Sequence, residues 1–126
     1  GRIVERILND IRGRMMEDIV LLETKMACSH QRVFRLQFPI GEYDMVVADE
    51  RTRECEIFEV KHSMEIVTDQ YRFLDEPEKL EAVEFRYGPI KRRAVIYRGE
   101  STKLDNGIEY LNVEEYLKSL GQETRA

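Results

Sequence analysis

Long apolar runs, a cysteine framework and low-complexity linkers are all missing from this sequence of 126 residues. No apolar stretch approaches the roughly 20 residues that a membrane-spanning helix needs, and no signal-peptide pattern opens the chain. The two cysteines, Cys28 and Cys55, have neither the density nor the spacing of a disulfide scaffold or a zinc site, which favours a reducing compartment. We therefore expect a cytoplasmic protein with no membrane partner.

The length of the chain predicts one domain. A chain of 126 residues buries about two-thirds of the surface that it exposes when unfolded, and no internal repeat or linker divides it. We expect a single domain over residues 1–126. The chain begins with Gly1 instead of Met and enters a helical pattern at once, which predicts a domain excised from a longer protein.

The charges are unevenly distributed along the chain. The formal net charge of -5 argues against a general nucleic-acid binder, because such proteins usually carry a basic surplus. Residues 86–103 nevertheless contain six basic residues against one acid. Within this stretch Lys91, Arg92 and Arg93 are candidate phosphate contacts; the alternative is that they form a solvated turn.

Apolar periodicity predicts the order of the elements. Apolar residues recur at helical spacing from residue 2 to residue 27, which predicts one long helix or two short ones meeting near Gly13. Three strands in an antiparallel meander follow, at 33–38, 42–49 and 55–61. The later elements are a helical segment broken at Pro77 (68–88), strands at 93–99 and 107–113, and a closing helix at 113–121. The order predicts a three-layer α/β domain with helices flanking a mixed central sheet.

Acidic residues occur inside two of the predicted strands. Alternate residues of a strand share a face, so Asp44 lies on the same face as Glu42, and Glu59 lies on the same face as Lys61. Because Glu42 is nearer the start of its strand, we expect its side chain in solvent. Adjacent strands can bring Asp44 beside Glu59, and two carboxylates withdrawn from water need a compensating charge. Mg²⁺ or a similar hard cation supplies it, which favours metal-assisted phosphodiester hydrolysis in which Lys61 orients the attacking water or stabilises the developing negative charge.

These residues resemble a known signature. Asp44, followed after fourteen residues by Glu59-Val60-Lys61, resembles the bipartite motif of the PD-(D/E)xK nuclease superfamily. The stretch "GRMME", which ends at Glu17, looks like the helical element that carries a further glutamate in that family. The resemblance implies a restriction endonuclease-like core (αβββαβ) and Mg²⁺- or Mn²⁺-dependent cleavage of DNA. It also implies that Asp44, Glu59 and Glu17 are metal ligands and that Lys61 is the fourth catalytic residue. Tyr43 stands where the family motif has proline.

A narrower resemblance concerns the protein context. The stretches "GRMMEDIVLLE", "GEYDMVV" and "IFEVKHS" together look like the C-terminal domains of AAA-type ATPases of archaea and bacteria, over about residues 13–99. This implies that the rest of a larger ATPase chain is a partner, and the sequence contains no Walker loop of its own. Two alternatives stay open: a catalytically silent docking or regulatory module of that ATPase, and a stand-alone junction resolvase, which the acidic balance disfavours.

Four other polar residues near the predicted site have weaker interpretations. His62 falls on the face opposite Lys61, so we expect it to be a packing residue, and we expect Ser63 to cap a turn. Gln70 and Tyr71 begin the helical segment after the third strand, where one polar side chain can face the site.

Overall fold

The computed structural model describes the backbone of residues 2–123 and the side chains of residues 12–121. The helices are α1 (Arg2–Ala27), α2 (Pro77–Tyr87) and α3 (Val113–Glu123), and a 3-10 helix spans Thr68–Asp75. The strands are β1 (Arg32–Gln37), β2 (Glu42–Asp49), β3 (Glu54–Val60), β4 (Ile90–Tyr97), β5 (Thr102–Lys103) and β6 (Glu109–Asn112). The predicted αβββαβ order is confirmed, and the boundaries differ by a few residues at most, apart from β5, which the sequence did not predict.

The strands form one mixed sheet of six, in the order β1-β2-β3-β4-β6-β5. The first three strands are antiparallel neighbours, which confirms the predicted meander. Strand β4 returns parallel to β3 after the crossover through the 3-10 helix and α2, and β6 is parallel to β4. Strand β5 pairs antiparallel with β6 at the sheet edge.

Helices cover both faces of this sheet, so the α/β architecture predicted from the sequence is confirmed. On one face, α1 and α3 pack through Val20, Tyr116 and Leu120 against strand residues such as Phe58 and Ile96. The opposite face carries the second buried cluster, which includes these residues from the strands, the 3-10 helix and α2: Val46, Ile57, Leu74, Val83, Val95, Tyr97 and Tyr110. The result is three layers, with the sheet in the middle.

Helix α1 runs without a break through Gly13. A Cβ atom added at Gly13 would lie 3.7 Å from the Cβ of His62, an ordinary contact, so this glycine is not required by close packing. Of the two alternatives for this segment, the single long helix is correct.

In the described part of the chain, no helix combines the length and apolar character that crossing a membrane requires.

The predicted break at Pro77 is also present. The proline occupies the first turn of α2, where its missing N–H costs no helical hydrogen bond. The helix ends at Gly88, whose φ of 93° is in a region that favours glycine. A Cβ at Gly88 would lie 1.8 Å from the carbonyl oxygen of Arg53. Both the backbone conformation and the lack of space therefore require glycine in the turn before β4.

Candidate metal centre

A bulge in β2 positions the first acidic residue of the site. Phe34 of β1 pairs with Val46, whereas Leu36 pairs with Tyr43, so two residues of β2, Asp44 and Met45, stand opposite a single residue of β1. An extra residue of this kind re-aims the side chains beside it. Tyr43 accordingly packs in the same cluster as Val46, and Met45 packs on the α1 side of the sheet.

Asp44 takes part in the hydrogen bonding of the sheet. The β2–β3 ladder ends at the Met45–Phe58 pair, and beyond it the backbone N–H of Val60 donates a buried hydrogen bond of 2.7 Å to Oδ2 of Asp44. The carboxylate therefore replaces the backbone carbonyl that would otherwise continue the ladder. This contact fixes Asp44 at the end of β3, where Glu59 and Lys61 also lie.

Three carboxylates converge at this point. Glu17 of α1, Glu42 at the start of β2, and Asp44 can each place an oxygen within 4.8 Å of the others. The sequence predicted Glu17 and Asp44 for the site, but Glu42 was expected in solvent and is instead half-buried. Its position on the same strand face as Asp44, two residues earlier, was the signal that pointed to it.

Glu59 is the most deeply buried of the acids. Its side chain is 5% exposed, and its Oε1 atom has no hydrogen-bond partner among the described residues. Burial first, and then repulsion by the neighbouring Asp44 carboxylate, raise the pKa of Glu59 to about 10, against the lowering effect of Lys61. Ionising a carboxylate in such a buried place is unfavourable in free energy, and a cation bound beside it would stabilise the charged form.

Glu17 has a related but weaker perturbation. Burial first, and then the hydrogen bond and negative charge of Asp44, raise its pKa to about 7, against the lowering effect of Arg35. At pH 7 Glu59, which lies beside the cluster, therefore stays protonated, and Glu17 is about half protonated. A divalent cation would displace those protons, because its oxygen ligands must be deprotonated.

Lys61 lies next to Glu59, as predicted, but one residue beyond the end of β3. Its backbone N–H donates to the carbonyl of Ile96 at 2.9 Å, which extends the parallel ladder with β4. Its ammonium lies 3.7 Å from Oε2 of Glu59 and its side chain is 40% exposed. The lysine thus borders the carboxylates and still reaches solvent.

The predicted phosphate contacts lie elsewhere. Arg92 on β4 pairs with Glu56 on β3, near the opposite end of the strand from Lys61. All three basic residues are held by intramolecular bonds: Lys91 to Glu54 at 2.5 Å, Arg92 to Glu109 at 3.0 and 3.1 Å, and Arg93 to Asp75 at 3.1 Å and the carbonyls of Leu74 and Asn106. The structure does not bring these residues to the carboxylates.

The other polar residues near the predicted site lie outside the carboxylate cluster or have structural roles. Ser63 accepts a hydrogen bond from the N–H of Glu65 at 3.1 Å, so its turn-capping role is confirmed. Gln70 accepts hydrogen bonds from the N–H of Val67 and the hydroxyl of Tyr110, which commits it to a structural role. His62 is half-buried and lies between α1 and the end of β4, outside the carboxylate cluster.

Tyr43, which directly precedes Asp44 on β2, has a packing role. Its hydroxyl donates to the carbonyl of Phe73 at 3.0 Å, and its ring packs edge-on against Phe38. Burial, followed by the charge of Glu59, raises the pKa of Tyr43 well above its usual value, so this hydroxyl stays protonated. Tyr43 thus links β2 to the 3-10 helix.

This chain was compared with protein-family models, curated proteins and solved structures. No protein-family model, no curated protein and no solved structure matches this chain.

Proposed function

We propose that the chain is a metal-dependent phosphodiesterase of the PD-(D/E)xK nuclease type that hydrolyses DNA. The observation that carries this proposal is the environment of Glu59. A carboxylate that is 5% exposed, with Oε1 unpaired among the described residues, lies beside Asp44 and 3.7 Å from the ammonium of Lys61. Buried carboxylates without enough partners are costly, and such arrangements cluster at functional sites.

The donor set fits a hard divalent cation. The converging side chains offer only carboxylate oxygens, which Mg²⁺ and Mn²⁺ prefer over the nitrogen and sulfur donors that suit zinc. Glu17, Glu42 and Asp44, whose oxygens lie within 4.8 Å of one another, would hold the ion. Glu59, which the sequence also predicted as a ligand, lies beside Asp44 but is not one of these three. When bound, the cation would polarise a phosphoryl oxygen and acidify a water molecule.

The chain's own residues would supply the positioning. Lys61 borders Glu59 on the solvent side, where Nζ can donate to the attacking water or to a phosphate oxygen. Asp44 is held by the N–H of Val60, so its second oxygen keeps a fixed direction. A site built on strand ends in this way is more rigid than one built on loops.

The context of the domain is part of the same proposal. The resemblance of three sequence stretches to C-terminal domains of AAA-type ATPases supports a place in a larger ATPase chain. The sequence contains only two cysteines, without the spacing of a disulfide scaffold, which supports a reducing, cytoplasmic location.

One observation favours the alternative, a catalytically silent docking or regulatory module of the ATPase. Lys91, Arg92 and Arg93 are held by acidic side chains of the same chain, so the candidate phosphate contacts are already paired. A nuclease must hold the DNA backbone with other cations or with a partner protein. In the silent module the acidic residues would be present, but no DNA would be bound or cleaved.

Two measurements test the proposal. Calorimetric titration with Mn²⁺ should show one site in the wild type and none in Asp44→Asn, with Asp105→Asn as an exposed acidic control that binds normally. Incubation of plasmid, duplex and branched DNA with Mg²⁺ or Mn²⁺ should then give cleavage that is lost in Asp44→Asn and Lys61→Ala. Lys103→Ala, at an exposed lysine of β5, should cleave like the wild type. Metal binding without cleavage of any substrate would favour the silent module, and equal cleavage by Lys61→Ala would refute the assigned role of the lysine.

A further inference from the structure

Helix α1 has apolar side chains on two opposite faces. Val20 and Thr24 are buried against the sheet and α3. On the other face lie four large apolar residues, each between 48% and 65% exposed: Met15, Ile19, Leu22 and Met26. A helix at the surface of a protein normally has polar residues on its outward face, so this outer stripe points to a partner.

The spacing of the outer stripe is specific. Its members are separated by four, three and four residues, which is the a and d pattern of a helix that packs against another helix. The stripe covers three turns of α1 and remains on one side of it. A helix of matching pattern is therefore the partner that fits, and a second copy of α1 has that pattern.

Charges beside the stripe select one arrangement of two such helices. Asp18 and Lys25 are exposed on the same flank. In an antiparallel pair that packs Met15 against Met26 and Ile19 against Leu22 of the second copy, Asp18 of each copy meets Lys25 of the other. A parallel pair sets Asp18 against Glu23, and an antiparallel pair shifted by one heptad sets Asp18 against Asp18. Both alternatives place like charges together.

The other flank of the stripe has matching charge as well. An apolar groove between α1 and α3 lies there, with Met16 and Leu117 among its lining residues, and its basic residues are Arg12, His62 and Arg98. No ion pair joins these three basic residues to the described acidic side chains. In the antiparallel arrangement Glu23 of the second copy comes beside Met16, one turn from Arg12, so an acid faces the basic groove.

We propose that the outer stripe is the interface of a two-fold homodimer, in which two copies of α1 pack antiparallel. The interface joins Met15 to Met26 and Ile19 to Leu22 across the two-fold axis, and two Asp18–Lys25 pairs set the register. Glu17 lies on the opposite side of the helix from the stripe, towards β2. Both carboxylate clusters therefore remain open in the dimer.

Sedimentation velocity of the chain over a wide range of concentrations tests this proposal. The wild type should sediment with twice the monomer mass at high concentration, and Leu22→Glu should be a monomer throughout. Ile40→Glu, at an apolar residue that is more exposed than Leu22 (73% against 57%) but lies outside α1, should dimerise like the wild type. Because Leu22 and Ile40 are both exposed, circular dichroism and the unfolding temperature should show that both variants fold.

A charge reversal tests the register independently of the apolar contacts. Lys25→Glu should raise the dimer dissociation constant roughly tenfold, because it places two acidic pairs across the axis. The double variant Asp18→Lys with Lys25→Glu should restore dimerisation, although it gives up the exposed pair between Asp18 and Arg35. A wild type that stays monomeric, or a double variant no better than Lys25→Glu alone, would overturn the proposal and assign the stripe to another partner or another pairing.

Discussion

The carboxylate of Asp44 accepts a buried hydrogen bond of 2.7 Å from the backbone N–H of Val60. One oxygen of this side chain is thus part of the sheet, while the carboxylate also belongs to the acidic cluster with Glu17 and Glu42. Asp44 has a structural and a proposed chemical role, and two substitutions separate them.

Asp44→Asn should be more stable than Asp44→Ala by about 1–3 kcal/mol, since asparagine keeps a carbonyl that accepts from Val60 and alanine leaves that N–H unsatisfied. Both variants lose the charge, so neither should bind Mn²⁺. Urea unfolding of the two proteins in the presence of a chelator gives the difference. Equal stability would mean that the hydrogen bond contributes nothing to the fold.

Glu59→Gln should stabilise the metal-free protein at neutral pH. The pKa of Glu59 is raised from 4.5 to about 10 in the folded state. The unfolded chain therefore releases this proton at lower pH than the folded chain, and wild-type stability falls as the pH rises from about 4.5 towards about 10. Glutamine does not ionise, so the variant should not lose the folding stability that the wild type loses through Glu59 as the pH rises.

The measurement is the unfolding temperature as a function of pH, in a chelator, for the wild type and Glu59→Gln. The advantage of the variant should grow with pH. Glu81→Gln, at an exposed position of α2, is the matched control and should follow the wild type. A pH profile of Glu59→Gln parallel to that of the wild type would show that Glu59 ionises normally in the folded protein.

Binding of Mn²⁺ should release protons and become tighter with increasing pH. Near neutrality Glu17, with a pKa of about 7, is partly protonated and Glu59, with a pKa of about 10, is protonated, and a metal ion must displace these protons. The apparent affinity should rise between about pH 6 and about pH 8, and the heat of binding should depend on the ionisation enthalpy of the buffer. Identical heats in two buffers of different ionisation enthalpy would contradict proton release.

The buried hydrogen bond between Thr24 and Tyr116, 2.7 Å long, joins α1 to α3. Thr24→Val and Tyr116→Phe should each cost about 1–3 kcal/mol, because each leaves a buried hydroxyl without this partner. The double variant should cost less than the sum of the two, since both polar groups are then gone. Urea denaturation of the four proteins completes the cycle, and additive losses would show that the two hydroxyls act independently.

The order of elements could be predicted because it depends on local patterns. Alternating and helical apolar spacing predicted the meander and the closing helix, and the proline at position 77 predicted the break in the helical segment. The proximity of Asp44, Glu59 and Lys61 followed from two neighbouring strands. These features require only the period of each element and the connection between successive ones.

The sequence could not predict features that depend on the register between strands. The bulge at Asp44 and Met45 arises where β1 and β2 change register, and it accompanies the burial of Glu42 beside Glu17. The acidic partners of Lys91 and Arg92 likewise come from β3 and β6, and β6 becomes a neighbour of β4 only through the parallel crossover. Local composition says nothing about such distant partners.

The parallel pairing of β3 with β4 also has a consequence for folding. Strands β1 to β3 form from successive hairpins, whereas β4 can pair with β3 only after the crossover through the 3-10 helix and α2 has closed, and long closures slow folding. The two strands that carry Asp44 and Glu59 therefore belong to the early hairpins. The backbone of Lys61 is held by Ile96 of the late strand, so we expect the acids to assemble before the lysine reaches its final position.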